Sequence, residues 1–315
     1  MALGIDPTND YVFRLVYGDP ANSDLLIHLL NAILQLPSPI THVEILNPFI
    51  EQEFELDKLA VLDIKARDSA GRLLNIEMQT SVTSALKERL VYYAASLFSG
   101  QLKEGDKYSA LCPTIGICIL SAKMFPNIQQ GHLRFVLSNL EHGLQLTQHF
   151  QIHTVELPKY NLSAAGLASG DNLDHWAYWF RHAAELDAGE LRTLLPELPF
   201  QKATGILEMI SRTPSQRDVY EARQKAIRDY ASAIEDARQQ GIEQGIERGI
   251  ERGIEQGLEK GIDRGHRLGK AEQVKMLQAL LNEPVMTESQ LLELDLSSLN
   301  AMAENLQSRL MQRHR

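Results

Sequence analysis

Two acidic residues, Asp63 and Glu77, lie in two short apolar segments that are joined by the turn-forming sequence DSAG. The segments cover residues 59–67 and 72–80 and are typical of β-strands. The pattern predicts a β-hairpin with a three-residue loop, in which Gly71 adopts the left-handed conformation. In that register the numbers of paired residues sum to 140, which puts Asp63 opposite Glu77.

This pairing of like charges predicts a metal site. Side chains alternate along a strand, so Asp63, Glu77 and Gln79 project from one face. Opposed Cβ atoms lie about 4.5–5.5 Å apart, where two carboxylates repel each other unless a cation lies between them. Mg²⁺ (or Mn²⁺) binds oxygen ligands of this kind, and it can activate a water and polarise a phosphodiester. The alternative is an exposed hairpin face with solvated acids, because a slip of one residue moves Glu77 to the other face.

Several separated segments, in a fixed order, resemble a known nuclease family. They are DPTNDYVFR at 6–14, DK at 57–58, LDIK at 62–65, NIEMQ at 75–79, KERLVYY at 87–93 and ELPK at 156–159. Together they are similar to the Rpn family of recombination-promoting nucleases and transposases, which belongs to the PD-(D/E)XK nuclease superfamily. The resemblance covers roughly the first 160 residues well and the helical remainder loosely.

The resemblance implies an α/β fold, with a restriction-endonuclease-like core of a mixed sheet flanked by helices and an α-helical C-terminal region. It implies that Asp63 and Glu77 bind the metal, and that Gln79 stands where the superfamily has a catalytic lysine. A lysine ammonium can stabilise negative charge, whereas an amide orients a water by hydrogen bonding. The proline of the superfamily motif is replaced by Leu62.

Other residues are candidates for the same site. Asp10, Glu44 and Glu53 precede the hairpin, and each could supply a further acid, although a solvated surface position is more common for such residues. Arg89 and Tyr92 lie three residues apart on the helix that follows, so both could contact a phosphate. An ordinary helix surface explains them equally well. Lys65 shares the face of Asp63 by strand parity and is a third candidate for a phosphate contact.

Composition places limits on the function. The chain has 315 residues, of which 44% are hydrophobic, and it has neither a basic, apolar signal segment nor an apolar run long enough to span a bilayer. The cytoplasm is therefore the expected location. The sequence has neither an HExxH motif nor a paired CxxC motif, so it does not predict a zinc site. It also has no glycine-rich phosphate-binding loop. A net charge of −10 is unfavourable for binding DNA, but the expected site has basic residues around it. These are Lys58, Lys65, Arg67, Arg72, Lys87 and Arg89.

The remaining patterns predict the order of elements and domains. Helices are expected at 9–17, 21–36 and 82–100, and strands at 42–47, 114–120, 132–138 and 146–156. A helical region begins at Asp171, where Trp176, Trp179 and Phe180 form a packing stripe. The domains are expected to be a nuclease-like domain at 5–160, a helical region at 161–240, a glycine-repeat segment at 241–270 and a helical tail at 271–315.

Glycine recurs every fourth residue from Gly241 to Gly269, and Ile or Leu follows most of these glycines. On a helix this Gly/Ile stripe winds slowly in the right-handed sense. The eight glycines cost about 7 kcal/mol relative to alanine, so such a helix is not expected to persist alone. Two interpretations of this segment remain open: a helix that associates with a second copy of the chain, and a flexible linker. The regularly spaced isoleucines favour association.

These features predict a Mg²⁺-dependent DNA endonuclease linked to recombination or transposition. Two alternatives remain open. One is an oligomeric DNA-associated or regulatory protein in which the nuclease site is degenerate, and the other is a nuclease that cleaves RNA.

Overall fold

The computed structural model describes residues 1–47 and 64–313. These residues form two compact units, Met1–Asp229 and Tyr230–Arg315. In the first unit the helices are α1 (Asp10–Tyr17), α2 (Ser23–Leu34), α3 (Leu86–Ser99), α4 (Asn172–His182), α5 (Ala188–Leu194), α6 (Leu198–Arg212) and the start of α7 (Pro214–Leu280). The strands are β1 (Val43–Ile45), β2 (Ile64–Asp68), β3 (Leu73–Gln79), β4 (Thr114–Leu120), β5 (His132–Val136), β6 (Ser138–Asn139), β7 (Leu144–Gln145) and β8 (Phe150–Glu156).

Six strands form one mixed sheet in the order β1-β2-β3-β4-β8-β5. Strands β3, β4 and β8 are parallel, whereas β1, β2 and β5 each pair antiparallel with their neighbours. Strand β4 is central and buried on both faces, as its continuous apolar sequence predicts. The mixed sheet with flanking helices confirms the predicted fold class.

The hairpin between β2 and β3 has the predicted register. Ile64 pairs with Ile76 and Lys65 with Asn75, so the paired numbers sum to 140 throughout the described part of the hairpin. The loop closes with the Asp68 amide donating to the Arg72 carbonyl at 3.1 Å, and Gly71 has a φ of 81°. Asp63 lies outside the described residues, and its pairing with Glu77 therefore stays a prediction.

The two faces of the sheet are covered by different helices. Leu74, Ile76 and Met78 of β3 belong to the large core that also contains the apolar side chains of α1, α2, α4 and α6. The opposite face packs against α3 in a smaller core that includes Cys118 and Ile152. Helix α3 comes close to the sheet at Gly116, where an added Cβ would lie 3.5 Å from the Cβ of Ala94. Glu77 alternates with Ile76 and Met78, and therefore points to the α3 side.

The N-terminal segment is fixed by hydrogen bonds to its own turn and to α7. Asn9 caps α1 by accepting from the Tyr11 amide at 3.0 Å. The hydroxyl of Tyr220, in the first turns of α7, accepts from the Asp6 amide at 3.0 Å. The sequence DPTND thus begins a helix and docks against a segment more than 200 residues later.

The aromatic stripe of α4 is a packing stripe, as expected. Trp176 and Trp179 are fully buried, and both indole N–H groups find acceptors. Trp176 donates to His28 Nδ1 at 3.0 Å, and Trp179 donates to Thr204 Oγ1 at 3.2 Å. These rings are therefore not available to stack on bases.

Several element boundaries differ from the sequence expectations. The helical tail expected at 271–315 consists of the end of α7 and two further helices, α8 (Glu288–Leu292) and α9 (Leu296–Arg313). Each helix begins at its own capping residue: Thr287 accepts from the Gln290 amide, and Asp295 accepts from the Ser298 amide. The strand expected at 132–138 ends at Val136, and the short strands β6 and β7 form a separate hairpin.

The second unit contains the glycine repeat, which lies within α7. A Cβ added at any of its eight glycines would meet no atom within 4 Å. The apolar residues that follow the glycines are also exposed, with exposed fractions from 46% at Ile242 to 67% at Ile254. The end of α7 packs with α8 and α9 around Val274, Leu291 and Leu299. Within the described residues, none of the helices is both long and apolar enough to cross a bilayer.

Candidate functional site

Glu77 lies on β3 with its carboxylate buried, and only 2% of the residue is exposed. Both carboxylate oxygens face side-chain amides of the same strand. Asn75 Nδ2 donates to Oε1 at 2.9 Å, and Gln79 Nε2 donates to Oε2 at 3.4 Å. Residues two apart on a strand share a face, so the sequence NIEMQ places one amide on each side of the acid. These hydrogen bonds offset part of the cost of burying the carboxylate.

Helix α3 brings Arg89 to the same face. Glu77 is the register partner of Cys118 on β4. Burial raises the pKa of the Cys118 thiol, the negative charge of Glu77 raises it further, and the positive charge of Arg89 opposes the shift. Arg89 is therefore close enough to influence this row of side chains. Its Nε is buried and has no hydrogen-bond partner among the described residues.

Tyr92 points away from this row. It is 67% exposed, whereas Arg89 three residues earlier is half-buried. Helix α3 thus presents Arg89 towards the sheet and Tyr92 towards solvent, with the Tyr92 ring 5.8 Å from that of Tyr93. The two residues predicted to contact one phosphate together therefore differ in exposure, although residues three apart are neighbours on the helix surface.

On the other side of β3, strand β2 presents Lys65 and Arg67, both exposed, to the same face of the sheet as Glu77. Arg67 lies 3.5 Å from Glu44 of β1, and both side chains are at least half exposed. An exposed pair of this kind contributes little to stability. Glu44 is thus a surface acid, the state that is more common for such a residue.

Asp10, the candidate for a further acid, is bound by Arg223 of α7. Arg223 Nε lies 3.0 and 3.1 Å from the two carboxylate oxygens of Asp10, and Arg223 is 1% exposed. Helix α1 packs against the sheet face opposite Glu77. The Asp10 carboxylate therefore has a structural partner. Glu53, the other candidate, lies outside the described residues.

Asn75 is the member of this row to which the sequence pattern assigns no role. It is 4% exposed, donates the shorter of the two amide hydrogen bonds to Glu77, and lies between Lys65 and Gly116 in the sheet. The available signal was its spacing, because a residue two positions before Glu77 shares its face. A polar residue in an otherwise apolar strand is the further sign that it has a partner.

The residues on this face fit a divalent metal ion. Within the described part of the chain, no three His, Cys, Asp or Glu side chains form a group that could hold a metal by themselves. Mg²⁺ needs only one or two carboxylates, with water and substrate oxygens as its other ligands. Glu77 provides one carboxylate, and Asn75 Oδ1 is a buried oxygen without a hydrogen-bond partner in the described structure. The donor set consists of oxygen atoms, as Mg²⁺ and Mn²⁺ prefer.

Comparison with known proteins identifies a family. The model of the family described as "PD-(D/E)XK nuclease family transposase" matches residues 7–237, more than two thirds of the chain. Searches of the curated proteins and of the solved structures gave no match. Nucleases of the PD-(D/E)XK type generally use divalent metal ions. The family match covers the whole sheet and the buried Glu77 row, and this chain therefore belongs to the PD-(D/E)XK nuclease family transposases.

Proposed function

We propose that this protein is a metal-dependent endodeoxyribonuclease that hydrolyses phosphodiester bonds during DNA recombination or transposition in the cytoplasm. The observation that carries the proposal is the buried Glu77 carboxylate, which two amides hold on β3 in the register of the predicted hairpin. A buried carboxylate needs partners, and a cation is the partner that also gives it a chemical role. The family membership supports a nuclease or transposase role in general.

Asp63 and Glu77 are the proposed metal ligands. The pair Ile64–Ile76 is the last described pair of the hairpin. If the register continues by one step, residue 63 would lie opposite Glu77. Bound Mg²⁺ or Mn²⁺ supplies a Lewis acid and lowers the pKa of a coordinated water. Asp63 and Glu77 would hold this ion together, and its charge would offset the repulsion between two opposed carboxylates.

Gln79 is the proposed positioning group for the attacking water. Its Nε2 faces Glu77 at 3.4 Å, which leaves its Oε1 as an acceptor on the same face. An amide that accepts from a water can aim the lone pair of that water at phosphorus, although it cannot neutralise charge as lysine does. More of the charge stabilisation therefore falls on the metal and on nearby cations.

Lys65, Arg89 and Tyr92 are the proposed phosphate contacts. Lys65 is exposed on the strand beside Asn75, and Arg89 reaches the sheet from α3. Tyr92 faces solvent and suits a phosphate further along the DNA strand. Since the whole chain has a net charge of −10, we expect weak DNA binding that depends on these local cations.

The decisive experiment compares the full-length protein with Asp63→Asn and Glu77→Gln on supercoiled plasmid, linear DNA and RNA, with and without Mg²⁺ or Mn²⁺. Both variants keep the side-chain shape and remove a charged ligand, so we expect at least a hundredfold loss of metal-dependent nicking. Glu185→Gln is the matched control, because that acid has a side chain that is 76% exposed and lies in the connection between α4 and α5.

Each result is informative. Nicking that is equal in all variants and insensitive to metal would reject the proposal and favour a regulatory protein with a degenerate site. Metal-dependent cleavage confined to RNA, and lost in both variants, would keep the site but change the substrate.

We also propose that residues 241–269 associate with a second copy of the chain. On a helix with about 3.6 residues per turn, the four positions of the repeat lie about a quarter-turn apart, and over residues 241–264 their order is Gly, then Ile or Leu, then an acid, then Arg, Lys or Gln. Parallel pairing of two copies sets each Ile stripe against the partner's Gly stripe and brings acidic flanks to basic flanks. Antiparallel pairing brings like flanks together, so charge favours the parallel arrangement.

A further inference from the structure

Asn75 lies in the interior of the sheet, with a hydrogen-bonded strand on each side. Strand β3 lies between β2 and β4, and Asn75 has Lys65 and Gly116 as its register partners. Its side chain is nearly as buried as that of Glu77, and the two are joined by a 2.9 Å hydrogen bond. The amide is therefore fixed by the fold and not by solvent.

We propose that Asn75 is a positioning residue for metal binding, which acts by fixing the carboxylate of Glu77. This inference rests on the proposed function, in which Glu77 is a metal ligand. A glutamate has three rotatable bonds, and without a fixed donor its carboxylate would sample several orientations. The Asn75 donor holds Oε1, so Oε2, which accepts the longer hydrogen bond from Gln79, would face the metal at little cost in conformational freedom.

The lengths of the two hydrogen bonds indicate that Asn75 matters more than Gln79 for this task. The Asn75 contact is 2.9 Å long, within the usual range for a charge-assisted N–H···O bond, whereas the Gln79 contact is 3.4 Å long. Asn75 is also more buried than Gln79, which is half-buried at the end of β3. The two amides of β3 thus have different proposed roles: Asn75 fixes the Glu77 carboxylate, and Gln79 remains able to reach a water.

The test uses Asn75→Leu, which keeps the approximate volume but removes the donor, and Asn75→Ala as a second deletion variant. Mn²⁺ binding to the full-length protein is measured by calorimetry without DNA, alongside the Mn²⁺ concentration that gives half-maximal plasmid nicking. Loss of a hydrogen bond to a metal ligand typically costs about 10–100-fold in metal affinity. We expect a shift of that size in both constants, and recovery of the maximal nicking rate at high Mn²⁺.

Asn31→Leu is the matched control. Asn31 of α2 also makes partly buried amide hydrogen bonds, to the Ile40 carbonyl and from the Ile40 amide, both at 2.8 Å. It lies on α2, one of the helices that cover the face of the sheet opposite Glu77. This variant is expected to lower the melting temperature and to leave the Mn²⁺ affinity unchanged, which separates positioning from general stability.

The outcomes distinguish this inference from the function on which it rests. If Glu77→Gln loses Mn²⁺ binding while both Asn75 variants bind Mn²⁺ within twofold of the wild type, the role of Asn75 is wrong and the metal site stands. If Glu77→Gln binds Mn²⁺ as the wild type does, the metal site is wrong and the role of Asn75 falls with it. A melting temperature and circular dichroism spectrum for each variant show that the folded protein is being measured.

Discussion

At the scale of single residues, the site depends on how buried polar groups are paired. Glu77 is nearly inaccessible to solvent, yet each of its oxygens faces an amide donor. The motif NIEMQ therefore does two things at once, because its apolar residues anchor β3 in the core while its polar residues form a row on the other face. The same alternation of side chains that gives a strand two different faces also places Asn75, Glu77 and Gln79 in one row.

A second polar pair, the buried His153 and the half-buried His132, predicts sensitivity to acid. The two imidazoles share a 2.9 Å hydrogen bond, and burial lowers the pKa of His153 to about 3, with further lowering by the nearby charges of His132 and Arg134. The unfolded chain takes up a proton below about pH 6.5, whereas the folded chain does not, so stability is present above that pH and decreases below it. Between pH 7 and pH 5 we expect a loss of about 2 kcal/mol from His153.

The measurement is urea unfolding of the wild type and His153→Gln at both pH values. The variant cannot titrate at this position, so its stability should fall less between pH 7 and pH 5. An equal decrease in both proteins would show that other groups account for the acid sensitivity.

At the scale of elements, the hairpin turn has a backbone requirement that only glycine meets easily. Gly71 has a φ of 81°, and a Cβ there would lie 3.0 Å from the sulfur of Cys112. Gly71→Ala should therefore lower the free energy of unfolding by about 1–2 kcal/mol for the backbone conformation, with an additional cost for the contact. Because this turn sets the register of β2 against β3, the loss should also reduce nicking.

Gly105→Ala is the control for this prediction, since Gly105 has a φ of 90° and open space around its Cβ position. It should show the backbone cost alone in chemical denaturation. Adding Cys112→Ala to Gly71→Ala should recover only the contact part. Equal stability of Gly71→Ala and the wild type would contradict the role of this turn.

The ion pair between Arg223 and Asp10 predicts that the start of α7 stabilises the nuclease core. Arg223 is 1% exposed and Asp10 has a side chain that is 25% exposed. Removing one partner of a buried pair typically costs about 3–5 kcal/mol, so Arg223→Met should lower the free energy of unfolding strongly. A double-mutant cycle with Asp10→Asn should give a coupling of about 1–3 kcal/mol.

The comparison for this cycle is Arg217→Met. Arg217 pairs with Glu221 on the same helix, but both side chains are 58% exposed. Its loss should leave the free energy of unfolding nearly unchanged. A small effect of Arg223→Met, similar to that of Arg217→Met, would show that α7 does not stabilise the core through this contact.

The local parts of the fold could be predicted from the sequence, and the long-range parts could not. Strand alternation and turn chemistry predict the register of the β2–β3 hairpin, because they act within a few residues. The Asp10–Arg223 pair joins residues 213 apart in the sequence, and no local pattern encodes it. The role of Asn75 depends on which neighbours bury it, and the sequence does not specify the burial of a single polar side chain. Asp63 stays a prediction because it lies outside the described residues.

At the scale of the whole molecule, the repeat predicts self-association. Six apolar residues on one stripe of α7 are exposed along with eight glycines, and a helix with this much glycine is costly unless it gains a partner. We expect Ile250→Gln with Ile254→Gln to reduce the mass measured by light scattering after size-exclusion chromatography. Donor and acceptor dyes at residue 240 of two copies should show strong energy transfer if the copies pair in parallel.

Met276→Gln with Leu280→Gln is the matched control, because these residues of α7 are also exposed but lie beyond the repeat. Their replacement should leave the mass unchanged. A wild-type protein that is monomeric at micromolar concentration would contradict the proposed association.

Helix α3 covers only part of one face of the sheet, and this affects which charges a substrate would meet first. Helix α3 packs over β3, β4 and β8, while Lys65 and Arg67 on the adjoining strand stay exposed on that side. A polyanion that arrived from this flank would meet Lys65 and Arg67, the latter beside Glu44, before it reached the buried acid. Its rate of capture should therefore decline steeply as ionic strength rises, even in an overall acidic protein.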